Sequence, residues 1–205
     1  DKDIYVVNSN PVFNNFTFVD SNAKTVALTG DNQKLIRYYS NVKATISPAN
    51  KAVAQNYASM RTYRLIVGGK QAEAPYSDNE VNLEVTNVES NDITVYAIDS
   101  RNFSTSKQVP PSGFLEYTKV SVDTVVATRA AGIGKTVTLT YTGKIWNQNF
   151  GAVQNSIKNA KYYYRVGNKA TNEWSNIGEF VTDDGDSEFS FIYVVLTNIS
   201  EISEP

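Results

Sequence analysis

The amino-acid sequence predicts an all-β chain built as two β-sandwiches in tandem, and three observations carry the prediction. Apolar residues recur at every second position in run after run. Turn residues punctuate those runs at short intervals. Only one stretch, NKAVAQNYASM at 50–60, has helical character. A period of two places neighbouring side chains on opposite faces, leaving one face buried and one wet, as in antiparallel sheets.

Taken in order, strands are expected near 13–18, 24–29, 35–46, 60–67, 80–86, 92–98 and 104–109. EVNLEV puts Val81, Leu83 and Val85 on one face, and DITVYA does the same with Ile93, Val95 and Ala97. GDN at 30–32, SPAN at 47–50, GGK at 68–70, SDN at 77–79 and SND at 90–92 supply a positive φ, an Asx turn or a fixed proline φ. The 50–60 stretch reads as a short helical excursion between strands, with Asn50 as its N-cap. The span 11–109 has the size of an immunoglobulin-like sandwich.

Val109, Pro110, Pro111, Ser112 and Gly113 mark the expected boundary, because two prolines cannot donate ladder hydrogen bonds. Residues 110–116 are therefore expected to be a linker, and 117–205 a second sandwich. Its strands are expected near 117–127, 136–146, 160–166, 174–182 and 188–197. KTVTLTY alternates Val137, Leu139 and Tyr141 with threonines, and KYYYRVG sends Tyr162, Tyr164 and Val166 one way and Tyr163 and Arg165 the other. MRTYRLIVGGK (60–70) aligns with AKYYYRVGNK (160–169), each a strand running into a glycine turn. By that analogy the second sandwich lacks its last two strands. The polypeptide is expected to continue past Pro205, or another chain or an unusual packing to cover the gap, since bare apolar edges bury too little core. Residues 1–10 read as a linker or the end of a preceding domain.

Composition narrows the function. With 41% hydrophobic and 20% charged residues the chain is an ordinary globular sequence. A net charge of -2 gives no reason to expect nucleic acid or a membrane as partner, either of which favours clustered Lys and Arg. Without Cys there is no thiol nucleophile or thiolate metal site, and without His the usual general base is missing. The reading is therefore non-enzymatic, with no cofactor.

The stretch VYAIDSRNFSTSKQV, residues 95–109, crowds Asp99, Ser100, Arg101 and Ser104 between two strand patterns. Asp and Ser bond the local backbone and Asn tolerates a left-handed conformation, so a hairpin turn is expected, with Arg101 projecting into solvent. AIDSRNFSTSKQV resembles the A-x-D-S-R-G-N-S-T segment of tandem Ig-like or fibronectin-III-like modules in siphophage minor structural and tail proteins. PVFNNFTFVDSN, ATISPANKAVA and YTGKIWNQNFGAVQNSIKNAKYYYRV resemble the same family. The likeness covers most of 11–197. It departs at Asn102, where the family favours Gly, and at Phe103, where it favours Asn. The resemblance implies a structural and adhesive component of a virion tail, baseplate or fibre, extracellular once released. It also implies partners among other tail proteins and a homo-oligomeric state, such as a trimer, in the virion. No residue-level site comes with it.

An alternative from another class is a carbohydrate-binding module for host cell-wall polysaccharide, its contacts drawn from Trp146, Phe150, Trp174, Tyr38 and Tyr39, because a flat ring with a polar handle suits a wet interface. Against it, aromatics in sheets mostly pack. A second alternative, glycan hydrolysis by paired carboxylates, has no acid pair at a fixed separation to support it. Asp183, Asp184 and Asp186 in DDGDSE form a weak calcium candidate whose spacing misses the twelve-residue helical loop, and a solvated turn explains them better. GIGKT at 132–136 holds the end of a phosphate-loop pattern, but Arg129 stands where glycine is required and a strand pattern follows.

Overall fold

The computed structural model describes residues 9–129, 137–156, 161–164, 175–179 and 188–192. It divides into two units: Asp1–Tyr117 with Phe150–Val153, and Thr118–Asn149 with Gln154–Pro205. Strands dominate, and the chain is all-β in class.

In the first unit the elements follow as β1 (Thr17–Asp20), α1 (Ala23–Thr29), β2 (Lys34–Ile36), β3 (Val42–Ile46) and β4 (Met60–Val67). Then come β5 (Lys70–Pro75), β6 (Val81–Val85), β7 (Ile93–Asp99), β8 (Ser104–Gln108) and β9 (Gly113–Leu115). One antiparallel sheet has the order β1-β3-β6 and a second the order β5-β4-β7-β8. Their inner faces share a single core. Phe18, Val42, Ala44, Ile46, Val81, Leu83 and Val85 come from the first sheet, and Tyr63, Leu65, Val67, Ile93, Val95 and Ala97 from the second. Register makes this work: Ala44 lies opposite both Phe18 and Leu83, and Leu65 opposite Val95. Each fully buried Val, Leu, Ile or Phe side chain stabilises the unit by about 1.5–3 kcal/mol relative to an exposed one. The alternation expected in EVNLEV and DITVYA is the alternation observed, with Val81, Leu83, Val85, Ile93, Val95 and Ala97 all buried.

Several expectations are corrected. The 24–29 segment is not a strand but α1. Asn22 accepts at Oδ1 from the Lys24 amide, and Gly30, at φ 69°, returns its N–H to Val26 O. Those are N-cap and C-cap signals, and they outweigh the β-branched Thr25 and Val26. The single strand expected at 35–46 is broken between β2 and β3 by a bend at 37–40. The 50–60 segment is not an α-helix: it opens with a 3-10 turn at Pro48–Asn50, then Val53 bridges Val12. Asn56 and Tyr57 both have positive φ, which no right-handed helix accommodates. β5 was absent from the expected strands, because its alternation places only half-buried residues inward.

The stretch expected as a linker, 110–116, carries β9, which runs parallel to β2. Ser112 reinforces the join, its amide donating to Gln33 O at 2.9 Å and its hydroxyl to Asp31 Oδ2 at 2.6 Å. Phe150–Val153 also belongs to this unit, with the Ala152 amide donating to Leu28 O. Gly151 is required there, since it has φ 135° and an added Cβ would overlap the Thr29 carbonyl oxygen.

In the second unit β10 (Ser121–Arg129), β11 (Val137–Lys144) and β14 (Glu188–Ile192) form an antiparallel sheet in the order β10-β11-β14. β12 (Lys161–Tyr164) pairs antiparallel with β13 (Ser175–Glu179). Each overlaps a strand expected from the sequence. The GIGKT segment, the aspartates of DDGDSE and the expected loss of terminal strands lie outside the described residues.

Candidate functional site

The polar stretch singled out in the sequence folds as the hairpin between β7 and β8. The Asp99 amide donates to Phe103 O, and the Asn102 amide to Asp99 O. Asn102 sits at φ 69°, the conformation that Asn tolerates where glycine is usual. Asp99, at the end of the buried β7, is 0% exposed. Its Oδ1 accepts from the amides of Arg101 at 2.8 Å and Phe103 at 3.0 Å. Its Oδ2 accepts from Arg101 Nε at 3.0 Å and Nη2 at 2.6 Å.

Arg101 does not project into solvent as expected. Its guanidinium folds back onto Asp99, lies 4.9 Å from the Phe103 ring centroid and donates to Ser9 O at 3.0 Å. The physical reason is the buried carboxylate, which needs a charged partner within reach. Burial raises the Asp99 carboxyl, but the Arg101 guanidinium and the backbone amides outweigh it and hold the group below its ordinary value. The hairpin also gathers its neighbours. Thr105 donates to Pro11 O at 2.5 Å, the Ser100 amide donates to Ser59 O, and Arg61 reaches Asn102 Oδ1 at 2.6 Å.

The aromatic candidates separate. Trp146 is 7% exposed and Phe150 6%, so neither offers an open ring face. In the second unit the Trp146 carbonyl accepts from Asn155 Nδ2 and the Gln148 amide. Trp174, Asp183, Asp184 and Asp186 lie outside the described residues. Tyr39 is 42% exposed and Tyr38 half-buried.

These two tyrosines occupy the bend at 37–40. The Ile36 amide donates to Ser40 Oγ at 2.7 Å, the Ser40 amide returns to Ile36 O, and the Tyr38 amide donates to Val88 O. Those bonds hold Tyr38 at φ 71°, where a bulky side chain costs about 1–2 kcal/mol. Arg37 lies 4.9 Å from the Tyr38 ring centroid and pairs through Nη1 with Glu116 Oε2 at 2.9 Å. Its Nε is buried with no acceptor among the described residues. Tyr117 meets Tyr39 edge-on at 5.4 Å and Phe150 at 6.0 Å. Burial and the neighbouring Tyr39 push the Tyr117 hydroxyl above its ordinary value. Sequence reasoning named Tyr38, Tyr39 and Phe150 but missed Arg37, Glu116 and Tyr117. The last two reach the bend only through the β2–β9 pairing, a parallel contact between distant segments.

Among the described residues no group of three acidic, His or Cys side chains could hold a metal ion, and no helix is long and apolar enough to cross a membrane. No family model, no curated protein and no solved structure matches the chain.

Proposed function

We propose that this chain is a non-enzymatic structural and adhesive segment of a bacteriophage tail, baseplate or tail fibre, its modules acting as semi-rigid spacers in host attachment. One observation carries the reading. The segment with the sharpest likeness to tail modules, AIDSRNFSTSKQV, commits its charged chemistry to the fold. Asp99 and Arg101 bind each other, the turn amides and Ser9 O, which is the work of a structural hairpin rather than of a reacting site. The first unit supports the same reading at the level of fold. Three strands face four across one core, as in Ig-like and fibronectin-III-like sandwiches, although α1 and the β2–β9 ladder are additions to that plan.

In a tail, copies of such modules would be arranged by the assembly's symmetry, and weak contacts would add through effective concentration. The partners on this reading are other tail proteins. Imaging of virions labelled with antibody against the chain tests it: label on the tail is the expected outcome, and a tail without label refutes it.

A further inference from the structure

The first unit carries a partly exposed cluster of aromatic and charged side chains at the 37–40 bend. Tyr39 is 42% exposed, yet Tyr117 at 5.4 Å fixes its ring edge-on. A ring already held in place loses little freedom when a ligand stacks on it. Beside it, Arg37 Nη1 binds Glu116 Oε2, while Nη2, Glu116 Oε1 and the Tyr39 hydroxyl bind no protein group among the described residues. The site thus offers a partly exposed aromatic ring, a spare donor, a spare acceptor and a hydroxyl that is both. Arg37 and Glu116 cancel in charge, which disfavours an anion or a cation as ligand. A neutral polyhydroxylated chain matches every part: its C–H faces stack on the ring and its hydroxyls bond the guanidinium and carboxylate. The left-handed Tyr38 holds this arrangement, presenting three consecutive side chains from one tight bend.

We infer that the surface formed by Arg37, Tyr38, Tyr39, Glu116 and Tyr117 binds a neutral glycan chain. This moves the sugar contacts away from the buried Trp146 and Phe150, and it stands independently of any place in a virion.

The test is titration of the isotopically labelled chain with cellohexaose, chitohexaose and maltohexaose, followed by amide chemical shifts. At least one sugar is expected to shift residues 36–40 and 115–117 with roughly millimolar affinity. Tyr39→Ala is expected to weaken binding about tenfold, a loss of about 1.4 kcal/mol, with the chain still folded at the titration temperature. Tyr39→Phe keeps most of the affinity, since stacking survives, and Glu116→Gln loses part of it. Absence of shifts with all three sugars overturns the inference, as does unaltered affinity in Tyr39→Ala. Shifts at these residues that follow protein concentration rather than sugar overturn it too, and make the face a contact between copies of the chain.

Discussion

Two tight turns of the first unit each hold an arginine against a carboxylate, and they do opposite things with the pair. In the β7–β8 hairpin the acid is sealed: the Asp99 side chain is 0% exposed and Arg101 closes over it. At the bend between β2 and β3 the acid comes from beyond β9 and is open, with the Glu116 side chain 68% exposed. A buried carboxylate without its partner is an uncompensated charge, whereas an exposed pair competes with water and salt. One turn therefore acts as a lock on the fold, and the other keeps polar groups available to a ligand.

Breaking the lock gives the largest effect. Asp99→Ala strands the Arg101 guanidinium and two turn amides, and is expected to cost about 3–5 kcal/mol, read as a lower midpoint in urea unfolding. Acid should reproduce part of this. The Asp99 carboxyl is depressed in the folded chain, so its contribution is complete above the unfolded carboxylate value. It fades as pH falls through the lower folded one. Stability measured downward from pH 5 should fall below about pH 4, and Asp99→Asn should remove that component. A flat profile in the parent protein would contradict the assignment.

Smaller changes sharpen the contrast. Asn102→Ala forces a less tolerant residue into φ 69° and removes the acceptor for Arg61, an expected loss of about 1 kcal/mol by thermal unfolding. Glu116→Gln at the open turn is expected to change stability by less than about 1 kcal/mol, with even that masked at high salt. A cost there equal to that at Asp99 would mean that the two turns do not differ in kind.

The strands β3, β4, β6 and β7 were legible because each alternates on its own, and a period of two needs no information from elsewhere. The hairpin at Asp99 was legible for the same reason, since Asp, Ser and Asn act on the backbone within a few residues. Thr25 and Val26 misled because β-branched residues suit strands, while the caps at Asn22 and Gly30 that decide for helix occupy single positions. The 50–60 segment misled in the other direction. Its spacing looks helical, but Val53 is claimed by Val12 and the Ala52 amide by the Tyr63 hydroxyl, at 2.8 Å.

The sequence by itself determined the class of fold, most of the strand positions in the first unit and the identity of its sharpest turn. These follow from local periodicity and local hydrogen bonding. Only the tertiary structure decided that Arg101 folds inward, that the Pro-Pro stretch leads into a paired strand and that Trp146 and Phe150 are buried. It alone brought Glu116 and Tyr117 to Tyr39. Each of these depends on residues far apart in the chain meeting across a core or a parallel ladder, and contact of that kind leaves no periodic trace in either segment.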